Sequence, residues 1–463
     1  MVYYDFLPTT VPQYSVHGAN LTIIREPAEF HETLKRQAAK SRHRIVLSSL
    51  YLGTGTLEHQ LVESLKTALA QSHDAASSIE NGEGVELRVL LDYSRANRGS
   101  PNSCSMLQPL LDQYPDHVQV WLYHTPNLRG WRKWALPDRW NEVVGVQHIK
   151  LYIFDDNLII SGANLSDQYF VNRQDRYVLV EDCAPLADYC ARIVQAVGEC
   201  SFQLRPGGAC DLHPKCAVHP YKGPLNEYRK LMHDRINSVM EMEKNRNLTV
   251  QRDHDTQLWA VVQMGDFGIE QDSALLRRLF QFQTGWQVDF ATGYFNLTDD
   301  YKDLLLKTAQ GRLRMLMAAP QANGFYSAQG VSGHIPAMYT HALWQFYQSL
   351  RHFCAQVRVQ LFEYCRAGWT FHAKGLWVTP PGETRPTATV VGSTNYGYRS
   401  AQRDLEAQLL VVTQNARLQQ ELASEVRHLF SFSQAVDAST FQRPDHYVPT
   451  WVRWVSRLIR SYF

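Results

Sequence analysis

Two short sets of residues in this sequence have the types and spacing needed for phosphorus chemistry. The first is His148, Lys150, Asn164 and Asp175, and the second is His372, Lys374, Asn395 and Glu406. Both run in the order histidine, lysine, amide, carboxylate, and each carboxylate lies 11 residues past its asparagine. The step from histidine to asparagine is 16 residues in the first set and 23 in the second. The extra seven fall in the turn from Pro380 to Pro386, where insertions are tolerated. A lone His-x-Lys is usually incidental; a duplicated, ordered set is not. One imidazole can attack phosphorus to give a phosphohistidine. The second can protonate the leaving oxygen and later deprotonate the incoming nucleophile. Two ammonium groups and two amides suit the anionic oxygens as charge builds in the transition state. Asp175 and Glu406 would fix the tautomer and orientation of their histidines. Such a set suits phosphodiester chemistry without a metal or cofactor.

These residues need a scaffold that presents them together. On a strand, residues two apart share a face, so His148, Lys150 and Tyr152 project one way while Ile149, Leu151 and Ile153 enter a core. His372 and Lys374 share a face in the same manner, and each pair opens a strand, turn, strand pattern. Upstream of both pairs the chain reads alike: LTIIREPAEFHETLKRQ, RIVLSSLYL, LEHQLVESLKTALA and VELRVLLDY recur in order as LWAVVQMGDFGIEQDSALLRRLF, QVDFATGYF, DDYKDLLLKTA and GRLRMLMAA. Strands alternating with helices of this length indicate an α/β fold with open, helix-covered sheets. Pro206-Gly207-Gly208 and a Cys/His/Lys/Pro-rich stretch then lead into a charged helical segment, predicting a linker and bridging helix. The expected organisation is a first half over 1–205, a linker and bridging helix over 206–245, and a second half over 246–446. Residues 447–463 follow as an amphipathic, basic C-terminal helix with Trp451, Trp454, Val455, Leu458 and Tyr462 on one face.

Composition narrows the class. The 463 residues carry 46 Lys plus Arg against 45 Asp plus Glu, a net charge of +1, which argues against a polyanion-coating protein and gives no reason to expect a nucleic-acid partner. At 44% hydrophobic and 20% charged the chain is globular, neither disordered nor fibrous. Eight irregularly spaced cysteines suggest a reducing compartment rather than a disulfide framework. No apolar run approaches the roughly 18 to 20 residues of a membrane span, and MVYYDFLPTT reads as neither a secretory signal nor an Arg-rich presequence. Of four Asn-x-Ser/Thr sequons, at Asn20, Asn164, Asn247 and Asn296, one falls on Asn164, which disfavours secretion. Cys210, His213, Cys216 and His219 are ligand types for zinc, but their even spacing matches no zinc module, and no metal site is assigned to them.

Paired His-x-Lys-x4-Asp motifs followed by Gly/Ser-x-Asn resemble the phospholipase D superfamily. The segments HTPNLRGWRKW, GVQHIKLYIFDDNLIISGANLSDQYFVNRQDRYVLV, TFHAKGLWV and GSTNYGYRSAQRDLEAQ look more narrowly like the mitochondrial CDP-diacylglycerol–glycerol-3-phosphate phosphatidyltransferases. The likeness covers about Thr22 to Val412. It implies two tandem half-domains, each a mixed sheet flanked by helices, with the active site at a pseudo-twofold interface. It further implies a histidine that takes the phosphatidyl group from CDP-diacylglycerol, releases CMP and passes the group to glycerol 3-phosphate, on the way to phosphatidylglycerol and cardiolipin. His148 is assigned as the nucleophile and His372 as the acid and base. Ser393, Arg173, Arg176, Arg399 and Arg403 are expected to bind substrate, the arginines through bidentate phosphate pairing. Location is expected to be mitochondrial, peripheral on the inner membrane, with the C-terminal helix touching lipid; the basic, Trp-rich segment from His124 to Trp140 suits a lipid headgroup layer, the nucleotide or an ordinary interdomain contact. Thr379 stands where the superfamily pattern has Asp. The first-half counterpart, Asp155, is read as structural because it borders the Asp155-Asp156-Asn157 turn. A hydrolase or nuclease of the same superfamily, with water as acceptor, and a non-catalytic lipid-binding protein with a decayed second half are the competing readings.

Overall fold

The computed structural model describes Tyr4, residues 11–76, 84–130, Lys133, and residues 141–246, 253–326 and 328–459. Two mixed sheets organise them. In the first, the strands run in the spatial order Cys210–Leu212, Phe202–Leu204, Val118–Tyr123, Glu86–Asp92, Arg44–Ser48, Leu151–Phe154, Asn157–Ser161, Tyr177–Val180 and Leu21–Ile24. Val118–Tyr123, Glu86–Asp92 and Arg44–Ser48 are parallel neighbours, and the pairings from Arg44–Ser48 to Leu21–Ile24 are antiparallel. The second sheet repeats this plan. Val359–Tyr364, Arg312–Ala318 and Gln287–Thr292 are parallel; Gly375–Thr379, Ala388–Gly392, Glu406–Thr413 and Thr256–Met264 follow antiparallel. The repeat read from the sequence is therefore a repeat of strand order as well as of motif.

Strands covered on both faces read as near-continuous apolar runs, and the pleat divides their side chains between two cores. In the first half Ile45, Leu47, Leu87, Val89 and Leu91 pack outward under the helices Pro27–Lys40, Thr56–Ala76 and Ser103–Gln113. Val46, Leu90, Ile149, Leu151 and Ile153 pack inward, in one cluster with Leu258, Ala260, Val391, Leu409 and Val411 of the second sheet. That shared core holds the halves face to face. The alternation predicted around His148 is present, although Tyr152 is not beside the polar pair in a site but buried in the outer core.

Three boundaries differ from the sequence reading. Gln13–Val16 pairs with Thr256–Met264 and so belongs to the second sheet; the turn at Gly18–Asn20 then hands the chain to the first. Asp255 Oδ1 accepts the Gly18 N–H at 2.6 Å and holds that handover. Within the expected linker, Cys210–Leu212 is an edge strand of the first sheet. The bridging helix is present at Leu225–Lys244, and its buried stripe Tyr228, Met232 and Ile236 joins the shared core. The C-terminal helix, Thr450–Ile459, docks through Val452, which is buried against Met338 and Val448, whereas Trp451 and Trp454 are 44% and 66% exposed. Of the apolar face read from the sequence, Val455 packs against that cluster and Trp451 meets the His334 ring at 4.7 Å, while Val452 was not among the residues expected there; the side chains of Leu458 and Tyr462 lie outside the described residues. Among the described residues no helix is long and apolar enough to cross a membrane.

Candidate active site

The two halves meet backbone to backbone where the candidate residues lie. Arg173 and Gln174 form a parallel ladder with Thr370 and Phe371, and Gln147 bridges Leu405. The His372 N–H donates to Gln174 O at 2.8 Å, and the His148 N–H donates to Leu405 O at 3.0 Å. Each histidine is therefore anchored to the residue just before the other half's carboxylate. The side chains complete the crossing: His148 Nδ1 lies 2.8 Å from Glu406 Oε2, and His372 Nδ1 lies 2.7 Å from Asp175 Oδ2. With Nδ1–H donated to Glu406, His148 keeps its Nε2 lone pair for the cavity, whereas the His372 ring also meets Lys374 Nζ, at 2.6 Å from Nδ1 and 3.1 Å from Nε2, and Tyr169 Oη at 3.4 Å from Nε2. The carboxylates are held in turn. Glu406 accepts from Ser400 Oγ at 2.6 Å, and Asp175 accepts the Arg176 N–H at 2.8 Å.

Both histidines line one cavity of about 530 Å³ with Asn164, Asn395, Arg173 and Arg399. The Asn164 amide nitrogen donates to Tyr169 Oη at 3.2 Å, and the buried Oδ1 atoms of Asn164 and Asn395 have no hydrogen-bond partner. An amide orientation is assigned from its network, so either asparagine can turn its NH₂ toward an arriving anion. Asn395 is braced by its own N–H donating to Ser400 Oγ at 3.1 Å, and neighbouring Thr394 donates to Asp272 at 2.7 Å. Tyr169 and Tyr294 meet the His372 ring edge to face, at 5.2 and 5.5 Å between centroids. On the apolar side the cavity is walled by Leu50, Phe325, Ile335 and Tyr339.

Lys150 and Lys374 lie beneath the histidines rather than on the cavity wall. Both are fully buried, each Nζ donating to the carbonyl of its own histidine at 2.7 and 2.8 Å. Lys374 Nζ is also 3.8 Å from Asp175 of the first half. A Cβ on Gly162 would stand 2.7 Å from Asp175 Oδ1 and 3.0 Å from that Nζ, so glycine is required for the second-half lysine to reach across.

Burial dominates the electrostatics. Desolvation, aided by the adjacent lysines, holds both imidazoles well below their ordinary value. Burial lowers Lys150 well below the usual ammonium value and Lys374 to about 8, against the attraction of the carboxylates. It raises Glu406, and Asp175 to about 6. These groups are poised for an anion that would restore the missing positive charge.

The remaining predicted residues divide. Arg173 is on the wall, its Nε donating to Thr370 Oγ1 at 3.0 Å. Arg399 is on the wall with its Nε 2.8 Å from Asp404, which also accepts the Val146 N–H and so ties the arginine to the His148 segment. Arg176 points away. It is buried, bonded to both Glu425 oxygens at 2.9 and 3.0 Å and stacked on Trp377 at 3.8 Å. Its place in NRQDRY, near Asn164, suggested a substrate-binding role, but the buried Glu425 and Trp377 hold its side chain away from the cavity. Ser393 is fully buried and accepts the Ala407 N–H at 3.1 Å, which makes it a brace for the Glu406 strand. Arg403 is off the cavity, its guanidinium 3.4 Å from Val143 O. Asp155, at φ 51, accepts N–H groups of Arg42, His43 and Arg44 at 2.8 to 3.0 Å and closes a turn far from the cavity. Thr379 ends its strand opposite Gln287.

Sequence reasoning missed Asp404, Ser400, Tyr169, Tyr294, Arg95 and Arg98, all of which contact or line the site. Ser400 and Asp404 sit within YRSAQRDLE and were within reach; Arg95, in the short helix Tyr93–Ala96, and Arg98, in the turn after it, carry no motif signal. Among the described residues the ligand atoms of His148, Asp404 and Glu406 converge, but their oxygens already serve Arg399, Val146, Ser400 and the histidine. Cys210, His213, Cys216 and His219 form no such convergent group. Of the Trp-rich segment, Arg129 reaches Gly223 O at 2.5 Å and Lys133 lies 3.2 Å over the Tyr221 ring. Trp131, Trp134, Arg139 and Trp140 lie outside the described residues.

No protein-family model matches the chain. A solved phosphatidylserine synthase from Haemophilus influenzae superposes with a TM-score of 0.71 at 18% identity, covering 97% of this chain and 95% of that one, a likeness of fold. The "CDP-diacylglycerol–glycerol-3-phosphate 3-phosphatidyltransferase, mitochondrial" of Gallus gallus is 41% identical over 487 residues, 99% of this chain and 86% of the relative. The enzyme of that name from Homo sapiens is 41% identical over 483 residues, with the same coverage. A Schizosaccharomyces pombe relative bearing the same enzyme name is 32% identical over 503 residues, 97% of this chain and 95% of the relative. At that identity over nearly its whole length, the chain belongs to the family of CDP-diacylglycerol–glycerol-3-phosphate 3-phosphatidyltransferases.

Proposed function

We propose that this protein transfers the phosphatidyl group of CDP-diacylglycerol to glycerol 3-phosphate, giving phosphatidylglycerophosphate and CMP on the way to phosphatidylglycerol and cardiolipin. The observation that carries the reading is the crossed pair of dyads: two imidazoles face one cavity, each oriented by the other half's carboxylate. In the first step His148 Nε2 attacks the phosphatidyl phosphorus, the bond to the CMP oxygen breaks, and His372 gives that oxygen a proton. In the second, His372 takes the proton of a glycerol 3-phosphate hydroxyl. The resulting alkoxide forms the new P–O bond, and the P–N bond to His148 breaks, restoring both rings. The entering anion raises the proton affinity of His372 and of the two buried lysines, so the acid is charged when substrate binds. Lys150 and Lys374 stabilise the transition state from beneath the rings. Asn164 and Asn395 turn amide hydrogens to the phosphoryl oxygens, and Arg173 and Arg399 flank the reacting phosphorus.

An amphiphilic cavity wall suits a lipid headgroup. The helix Ile335–His352, which lines it through Ile335 and Tyr339, carries the C-terminal helix on its other side, where Trp451, Trp454 and Tyr447 are exposed. We place the membrane surface there, with peripheral contact on the mitochondrial inner membrane, in keeping with the word "mitochondrial" in the relatives' names. The test is CMP release from CDP-diacylglycerol in detergent micelles containing EDTA, with and without glycerol 3-phosphate, the lipid product identified by mass spectrometry. Acceptor-dependent CMP with phosphatidylglycerophosphate is expected. Acceptor-independent CMP with phosphatidic acid would make the protein a hydrolase and overturn the reading.

A further inference from the structure

Among the described residues the cavity wall carries four arginines, Arg95, Arg98, Arg173 and Arg399, and no carboxylate. CDP-diacylglycerol brings two phosphoryl groups as a diphosphate, and the two histidines, the two lysines beneath them, Arg173 and Arg399 already stand at that centre, which leaves Arg95 and Arg98 in excess. Arg399 is bonded to Asp404, and Arg173 is held beside His372 by Thr370 Oγ1 and the Tyr169 ring. Those two stand with the histidines; their charges are among the causes that depress His148 and His372 respectively. Arg95 and Arg98 come from a different element, the short helix Tyr93–Ala96 and the turn after it. The Arg95 guanidinium lies 4.3 Å from the ring centroid of Tyr51, another wall residue.

The arginine turn is built into register with the reacting centre. Asp92 Oδ1 accepts the N–H groups of Ser94 and Arg95 at 3.0 and 3.1 Å, capping the short helix, and Asp92 Oδ2 accepts the Gln147 N–H at 3.1 Å. Gln147 precedes His148 in the chain. One buried carboxylate thus ties the backbone at Arg95 to the segment that carries the candidate nucleophile, and the Arg98 N–H, donating to Arg95 O at 3.3 Å, continues that turn.

Resting on the transferase reading above, we infer that Arg95 and Arg98 form a second anion subsite that binds the phosphate of glycerol 3-phosphate and so selects a phosphorylated acceptor over water or an uncharged alcohol. The acceptor differs from glycerol only in a phosphate dianion three carbons from its reacting hydroxyl, and a planar guanidinium pair matches such a group through bidentate hydrogen bonds. Holding that dianion also aims the free hydroxyl at the phosphohistidine and away from hydrolysis.

The experiment compares the full-length wild type with Arg95→Gln, Arg98→Gln and Arg98→Lys, each first checked for an unshifted melting transition. KM for glycerol 3-phosphate should rise tenfold or more in each glutamine variant, with KM for CDP-diacylglycerol moving less than twofold. The preference for glycerol 3-phosphate over glycerol should collapse, and Arg98→Lys should recover part of it. An unchanged KM for glycerol 3-phosphate, or a rise confined to CDP-diacylglycerol, overturns the subsite. Failure of wild-type protein to release CMP from CDP-diacylglycerol with any acceptor would instead overturn the transferase reading. Should Arg95→Gln melt early, Arg98→Gln alone decides.

Discussion

Replacing Glu406 by glutamine tests the crossed arrangement at its most exposed assumption, that a residue 258 positions from His148 governs its chemistry. The carboxylate is fully buried, accepts the Ser400 hydroxyl at 2.6 Å through one oxygen and faces His148 Nδ1 at 2.8 Å through the other. Glutamine keeps the volume but offers one acceptor where two are used. If its oxygen stays with Ser400, its NH₂ faces Nδ1 and favours the tautomer with hydrogen on Nε2, which removes the lone pair needed for attack. Replacing the corresponding aspartate in a serine-protease triad by asparagine costs about 10⁴-fold in turnover. If the oxygen turns to His148, the tautomer survives and only the charge assistance is lost, about 1.5–3 kcal/mol or roughly 10- to 150-fold. CMP release at saturating glycerol 3-phosphate should therefore fall in kcat by about 10- to 10⁴-fold, with a change in KM of no more than about threefold. The thermal transition should stay cooperative, because the two atom types fill the same space. A kcat within about fivefold of wild type would refute orientation of His148 across the halves.

Other expectations are independent of that one. Arg176→Met should destabilise the protein by about 3–5 kcal/mol, because Glu425 is left as a buried, unpaired charge. Urea denaturation measures this, Glu425→Leu in the same chain should recover most of it, and KM for glycerol 3-phosphate should not follow. For pH, Lys374, lowered by burial to about 8, is charged below that value and loses its proton as pH rises through it. Asp175, raised by burial to about 6, loses its negative charge as pH falls through that value. The kcat/KM profile should therefore fall below about pH 6 and its alkaline decline should steepen above about pH 8, and the absence of any such break below about pH 9.5 would contradict the buried ammonium. Asp155→Ala should cost about 1–3 kcal/mol in unfolding free energy through three lost N–H acceptors, with kcat unaltered. Removing the two indoles together in Trp451→Ala/Trp454→Ala should weaken co-sedimentation with anionic vesicles at least about tenfold. Unchanged binding would move the membrane contact elsewhere.

What the sequence disclosed depended on periodicity and duplication. The repeated strand and helix order, the paired His-x-Lys sets and the bridging helix were legible because each leaves a local pattern: alternation around Ile149, or the stripe Tyr228, Met232, Ile236. Contacts between distant segments leave none. Nothing in Gln13–Val16 says that it pairs with Thr256–Met264 rather than with the strand four residues on, since both partners are apolar and the choice is made by the turn at Gly18 and its acceptor Asp255. Arg176 misled for a related reason. An arginine near a candidate asparagine suggests a phosphate contact, and only the buried Glu425, 249 residues away, shows why it faces inward. The docking face of the C-terminal helix was caught only at Val455, because its two tryptophans dominate any hydrophobic reading whereas the helix is seated by the smaller Val452.

The crossing of the dyads also gives a reason for the duplication. Had each carboxylate oriented its own histidine, either half would hold a complete dyad, and the interface would only need to bring two finished units close. Here each half supplies the histidine of one dyad and the carboxylate of the other, and the backbone bonds from His148 to Leu405 and from His372 to Gln174 set both at once. A small rotation of one half against the other would lengthen both His–carboxylate bonds together. The large shared core, with Leu151, Ile153 and Val178 against Leu258, Leu409 and Val411, is what resists it. Lys374 makes the dependence asymmetric, since it passes under Gly162 to Asp175 of the first half. An alanine at Gly162 would press on that ammonium and carboxylate without touching His148 or Glu406. Gly162→Ala should therefore impair the His372 dyad selectively, lowering the rate of the steps in which a proton is given or taken while the His148 to Glu406 geometry stays intact.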